Sequence, residues 1–242
     1  MRYGIFSDVH SNLEALEAVI LAFQKEEIDR YLCLGDIVGY GANPKECIQK
    51  VRSLTDICCA GNHDWATVNL FALDYLNSEA AFAVLWTKRL LNAQEKSYLE
   101  ALKLVYKNKD LVLVHGTLDN PQEFNYLTNV YIAEETFRLM ETNICFIGHT
   151  HIPSIFNKVG NDHVYCFKES NIRLEEKSKY IINVGSVGQP RDGNPKAAFC
   201  VYDTKTKEVQ IKRTGYDIKT ARKKILNEEM PEFLGDRLII GR

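Results

Sequence analysis

The chain has 242 residues, 45% of them hydrophobic and 26% charged, and its 30 Lys and Arg against 32 Asp and Glu leave a formal charge of −2. That balance excludes a disordered chain and gives no general reason to bind nucleic acid or an acidic membrane, while the length allows a large core without disulfide or metal staples. The seven cysteines form no C-x-x-C pair and no run approaches 18 apolar residues, so reduced buried thiols and no membrane span are expected. The first residues run straight into a strand without a signal-like apolar segment, which makes a cytoplasmic location the expectation.

Residues 2–7 read as a short buried strand. Ser11-Asn-Leu-Glu14 follows as a capping-box pattern, and Leu13, Leu16, Val19, Ile20 and Phe23 recur at helical spacing. The apolar run 30–34 ends in Gly35-Asp36. Asn43-Pro44 with Glu46 signals a second helix, with Asn as its cap. Residues 56–60 read as a third strand ending in Gly61-Asn-His-Asp64, and this alternation predicts parallel strands covered by helices. Residues 76–101 look helical, 111–115 form an apolar run ending in His115-Gly116, 131–140 a helix, and 143–148 a strand ending in Gly148-His-Thr-His151. Beyond His151, the short runs 154–159, 163–168, 180–184, 197–202 and 208–213 look like an antiparallel meander, and 218–227 like a basic amphipathic helix. No linker is visible. One α/β domain over 1–242 is expected, a two-sheet core with outer helices and a helical extension at 217–242.

Five of the six histidines lie just after strand-like runs, each beside Gly or Asp: Asp8-Val-His10, Asn62-His63-Asp64, His115-Gly116 and His149-Thr-His151; Asp36 ends a further run in the same way. In an open α/β sheet, residues just past the strand C-termini converge on one crevice. Asp8, Asp36, Asn62 and several imidazoles are too many donors for one tetrahedral zinc. They suit two divalent first-row metals sharing a carboxylate: manganese, iron, zinc, cobalt or nickel before magnesium. Two metals about 3.5–4 Å apart clamp the attacking and leaving oxygens of a phosphoryl displacement, and a hydroxide between them is a strong nucleophile. Alone, each motif reads as easily as a loop or a helix cap; their ordered recurrence after strands carries the metal reading.

Asp8-x-His10, Gly35-Asp36, Gly61-Asn62-His63-Asp64, His115-Gly116 and Gly148-His149-x-His151 together resemble the calcineurin-like metallophosphoesterase superfamily. The resemblance implies a four-layer αββα sandwich of two mixed β-sheets flanked by helices. It implies Asp8, His10, Asp36 and His151 on one metal and Asp36, Asn62, His115 and His149 on the other, with Asp36 bridging. His63 then corresponds to the family's non-ligand histidine, which stabilises charge on the phosphoryl oxygens or protonates the leaving oxygen, and Asp64 either orients His63 or caps the helix before Trp65. Asn183-Val-Gly-Ser186 resembles a segment of small bacterial and archaeal phosphodiesterases; there Gly185 and Gly188 could aim backbone amides, and Arg191 its guanidinium, at a phosphate. Residues 39–43 are not a dinucleotide fingerprint; Tyr40 is expected either to stack on a substrate base or to pack in a turn. Ser186 lies in no serine-hydrolase elbow, and His163 reads as a surface residue. With 36–44 and 188–192, the likeness narrows to small bacterial phosphoesterases, some of which hydrolyse diadenosine tetraphosphate symmetrically.

The expected activity is therefore hydrolysis of phosphodiester or phosphoanhydride bonds in a small, nucleotide-like phosphorylated substrate, by attack of a metal-bridging hydroxide. A phosphomonoesterase or protein phosphatase is the alternative, weakened by a chain short for a deep peptide surface. A nuclease lacks its basic stripe. An inactive scaffold would be expected to have lost donors that are all present here.

Overall fold

Strands β1 (Arg2–Phe6) and β2 (Arg30–Cys33) and helices α1 (Leu13–Phe23), α2 (Pro44–Leu54) and α3 (Asn62–Thr67) open the computed structural model, which describes residues 1–160 and 162–242. Next come α4 (Ser78–Leu90), α5 (Ala93–Glu100), β3 (Val105–Lys107), β4 (Val112–Val114), α6 (Val130–Leu139), β5 (Ile144–Ile147), β6 (Ser154–Val159), β7 (Tyr165–Phe167) and β8 (Asn171–Arg173). The chain ends with β9 (Ser178–Asn183), β10 (Ala197–Asp203), β11 (Glu208–Thr214), α7 (Ile218–Asn227) and α8 (Glu232–Ile240).

Two mixed sheets result, a five-stranded one ordered β2-β1-β10-β11-β8 and a six-stranded one ordered β3-β4-β5-β9-β6-β7. β1 and β2 are parallel in the first sheet, as are β4, β5 and β9 in the second. Side-chain alternation explains why the buried lengths of β1 and β5 are apolar. In β1, Tyr3 and Ile5 face the other sheet, while Phe6 meets α1 through Val19 and Phe23. In β5, Ile144 and Phe146 face inward, and Cys145 and Ile147 pack against Ala133 and Phe137 of α6. A strand with both faces covered has no polar face to show. The layers are helix, sheet, sheet, helix, as expected. No helix is long and apolar enough to cross a membrane among the described residues.

Several local expectations change. The cap of α1 is Asn12, whose Oδ1 accepts the Ala15 N–H at 3.1 Å, and Ser11 is instead bent into the left-handed region. Asn43 precedes α2, yet its side chain accepts from Lys224 of α7 rather than capping the helix. The expected strand 56–60 reduces to the bridges Cys33–Cys58 and Cys59–Lys103, because the chain turns at once into α3. The stretch 76–101 breaks at Asn92, which caps α5 reciprocally with Glu95. The meander is divided: β6, β7 and β9 join one sheet, β8, β10 and β11 the other, and β9 lies parallel to β5. β3, β8 and α8 were not foreseen as separate elements. His163 is exposed, as expected.

Phe146 is fully buried between the sheets. Phe146→Ala is expected to destabilise the fold by about 3–5 kcal/mol, measured by denaturant unfolding.

Candidate metal centre

The C-terminal ends of the parallel strands open on one edge of the sandwich. The turn after β1 delivers Asp8 and His10, that after β2 delivers Asp36, that after β4 His115, and that after β5 His149 and His151; the first turn of α3 adds Asn62 and His63. Asp8, His10, Asp36, His149 and His151 all have φ between +48° and +66°, a region that residues with a Cβ seldom enter. Backbone bonds between the turns hold them there: Asp8 N–H to Gly35 O, His10 N–H to Asp36 O and Gly148 N–H to His115 O, each about 3 Å. Gly61 is fixed by close approach, since a Cβ there would come 2.0 Å from Asp36 Oδ1.

The donors fall into two lobes. Asp8, His10 and His151 form one, and Asp36, His115 and His149 the other, each with its ligand atoms within 4.8 Å of one another. Asp36 Oδ2 lies between them, 3.5 Å from His10 Nε2 and 3.3 Å from His115 Nε2. Its other oxygen accepts the His63 N–H at 2.8 Å. The Nδ1 atoms of His10, His115 and His151 lie 3.1, 2.9 and 2.6 Å from the carbonyls of Val38, Leu34 and Gln189. A carbonyl accepts only, so each Nδ1 carries a proton, and each Nε2 turns a lone pair inward when that nitrogen is deprotonated. His10 Nε2 and His151 Nε2 then face each other at 3.0 Å as two acceptors, an arrangement that a cation between them relieves. Asn62 Oδ1 is buried without a hydrogen-bond partner among the described residues and offers one more oxygen.

The charges agree. Burial alone would raise Asp8 and Asp36, but the imidazoles of His151 and His115 outweigh it and hold both carboxylates well below their usual range. Burial pushes His10 and His149 well below the usual imidazole range. His115 rises to about 9 against the effect of burial, because the Asp36 carboxylate lies beside it. Anionic oxygens beside the neutral imidazoles of His10 and His149 suit a divalent transition metal, and the charge of such an ion would displace the proton that Asp36 favours on His115.

Two roles expected of neighbouring residues are corrected. Asp64 makes no hydrogen bond to His63. Its Oδ1 accepts the N–H groups of Ile37 and Val38, and its Oδ2 accepts that of Gly61 at 3.1 Å, so it caps α3 and secures the Asp36 turn. Burial and then the Asp36 charge raise it to about 7. His63 is oriented by packing, between Tyr40 at 4.5 Å and His10 at 4.8 Å between ring centroids. Its Nδ1 has no partner among the described residues. Tyr40 is only 6% exposed, with His10, His63 and the Arg191 guanidinium around its ring; no face is left for a base.

The loop after β9 acts as a latch. Ser186 Oγ donates to Asp8 O at 2.9 Å, and the Gly188 amide donates to the same carbonyl. Gly185 N–H goes to Asn183 Oδ1, so neither glycine amide is free for a phosphate, contrary to expectation. Gln189 secures His151 through its carbonyl, and its Oε1 accepts from Arg191 Nη2 at 2.8 Å. Arg191 is half-buried, and its charge helps burial to lower His151. Tyr126 escaped sequence reasoning: it stacks on His149 at 3.8 Å between centroids and is 48% exposed. It sits in an irregular loop, where no periodicity marks it.

A model of the calcineurin-like phosphoesterase superfamily domain matches residues 1–207. The chain belongs to the calcineurin-like phosphoesterase superfamily. The αββα expectation is thereby borne out, and this metallophosphoesterase has clustered Asp and His donors that fit the divalent metals its family uses. It is 41% identical to an uncharacterized protein of Methanocaldococcus jannaschii, over 99% of this chain and 98% of that one. A metallophosphoesterase of Sphaerobacter thermophilus superposes with a TM-score of 0.87 at 37% identity, covering 100% of this chain and 99% of the other. A hypothetical protein of Pyrococcus horikoshii shares the fold at 21% identity with a TM-score of 0.81, covering 100% and 98%.

Gly61→Ala is expected to displace Asp36 and to weaken manganese binding at least about tenfold, measured by calorimetry. Gly215→Ala, where a Cβ meets nothing within 4 Å, is expected to leave it unchanged.

Proposed function

We propose that this metallophosphoesterase is a dinuclear hydrolase of phosphodiester or phosphoanhydride bonds in a small nucleotide-like substrate, a dinucleoside polyphosphate such as diadenosine tetraphosphate being the candidate to try first. The observation that carries the reading is Asp36 Oδ2, one carboxylate oxygen equidistant within 0.2 Å from the imidazoles of both lobes (3.5 and 3.3 Å). Asp8, His10, Asp36 and His151 would hold one ion and Asp36, Asn62, His115 and His149 the other, with manganese, iron, zinc, cobalt or nickel suited to so many imidazoles. Bound there, two such ions supply Lewis acidity toward a phosphoryl oxygen and acidify water near neutral pH.

The protein's own groups do the rest. The His149 amide donates to both oxygens of Asp8, at 3.2 and 3.1 Å, and keeps that carboxylate aimed inward. His63, which has a ring nitrogen within 4.8 Å of the His10 and Asp36 donor atoms, donates to a phosphoryl oxygen or to the leaving oxygen. Arg191 pairs with anionic phosphoryl oxygens from the half-buried wall above His151. The exposed edge of Tyr126 offers an aromatic surface to a base, which supports a nucleotide over a bare phosphate. The five buried free thiols fit a reducing compartment, and a cytoplasmic location is part of the reading.

With manganese added, dinucleoside polyphosphates and bis-p-nitrophenyl phosphate are expected to be turned over faster than p-nitrophenyl phosphate and phosphopeptides. The reverse order would favour a phosphomonoesterase or protein phosphatase. His63→Ala should keep its metal and lose about 10²–10⁴-fold in kcat. Asp36→Asn should lose metal from both positions in elemental analysis; retention of one full equivalent would contradict the shared carboxylate.

A further inference from the structure

Helices α7 and α8 lie beyond residue 207, outside the segment that the family model matches. Ala221 and Ile225 of α7 and Leu234 and Leu238 of α8 form one apolar cluster with Tyr40. Leu234 and Leu238 also line a small cavity together with Tyr40 and His10. The Tyr40 ring closes a triangle with two imidazoles. Its centroid lies 4.5 Å from that of His63 and 4.7 Å from that of His10, and the imidazoles are 4.8 Å apart. His10 is fixed independently, through its Nδ1 on the Val38 carbonyl. His63 Nδ1 has no such bond among the described residues, so contact directs the ring. The turn that carries Tyr40 is pressed against it: a Cβ on Gly39 would come 2.4 Å from His63 Nδ1. That turn is tied down by the Gly41 N–H, which donates to His10 O at 3.0 Å. An imidazole held by contact swings when its neighbour withdraws, and a misplacement of about 1 Å in a reacting group costs about 10²-fold in rate.

We propose that the α7–α8 pair is a buttress for catalysis, which holds Tyr40 against His63 and makes Tyr40 the positioning residue of that imidazole. The proposal rests on the reading of His63 as the donor to a phosphoryl or leaving oxygen. Tyr40 touches three groups, and each route has its own signature. Action through His63 lowers kcat. Action through Arg191, whose Cζ lies 5.6 Å from the Tyr40 ring centroid, raises KM. Action through His10 releases metal.

The test uses the full chain loaded with manganese, with bis-p-nitrophenyl phosphate as substrate. Tyr40→Leu is expected to lower kcat at least about tenfold, and Leu238→Ala, which widens the cavity behind Tyr40, at least about threefold. KM and manganese content should stay within about twofold of wild type in both. Tyr40→Phe keeps the ring and should hold kcat within about threefold. In a His63→Ala background Tyr40→Leu should cost no more than about a further twofold, because no imidazole is left to position. Tyr40→Met and Leu238→Val take the place of variants that thermal melting shows unfolded. Wild-type kcat in Tyr40→Leu or in Leu238→Ala would overturn the proposal. So would an undiminished loss in the double variant, or an effect confined to KM or to metal content. A crystal structure of Tyr40→Leu is read alongside: the His63 ring is expected to leave its wild-type rotamer while His10 keeps its own. An unmoved ring would overturn the proposal even where the substrate is not hydrolysed. A wild type without turnover, or a His63→Ala variant as fast as wild type, counts against the hydrolase reading, and the crystal structure then decides the positioning by itself.

Discussion

A carboxylate buried beyond the reach of water must find its compensation inside the protein, and Asp36 shows how this fold provides it. One oxygen takes the His63 amide; the other faces His115 and His10. The turn that carries it is held by Asp64, a second buried carboxyl with three backbone donors of its own. Burial and then the nearby Asp36 charge raise the cost of an extra negative charge, and together they push Asp64 up to about 7. The imidazoles supply part of the answering positive charge, most of all His115. Divalent cations would supply the remainder, which is why these residues make a good site for metal.

The left-handed turns belong to the same constraint. Asp8, His10, Asp36, His149 and His151 each accept an unfavourable backbone conformation. Hydrogen bonds from one turn to the next, and the Ser186–Gly188 latch on Asp8, prevent their relaxation. The donors are thus oriented by the folded chain, and ordering them adds little to the cost of binding an ion.

Much of this could be read from the sequence, for local reasons. A strand covered on both faces is apolar, so β1, β4 and β5 stood out, and the donors were visible because each follows such a run beside Gly or Asp. What escaped depended on distant partners. The strands after His151 looked like a single meander because their alternation says nothing about which sheet each one joins; β9 pairs with β5, more than thirty residues earlier in the chain. Asp64 looked like a partner for His63, its neighbour in sequence, whereas its acceptor oxygens serve Ile37 and Val38, 27 and 26 positions away. Tyr40 seemed free to meet a base because a Gly-rich turn usually lies open; here α7 and α8 fold over it. Tyr126 lies where neither motif nor periodicity directs attention.

The donors do not come from one sheet. Asp8, His10 and Asp36 follow strands of the five-stranded layer, whereas His115, His149 and His151 follow strands of the six-stranded one. The greasy filling between the layers, with Phe146, Ile182 and Leu32 among its members, therefore works as a calliper on the ions. Sliding one layer over the other by a fraction of an ångström would alter the aperture without touching a single ligand, so the ionic radius that fits best is set in part by hydrocarbon far from the charge.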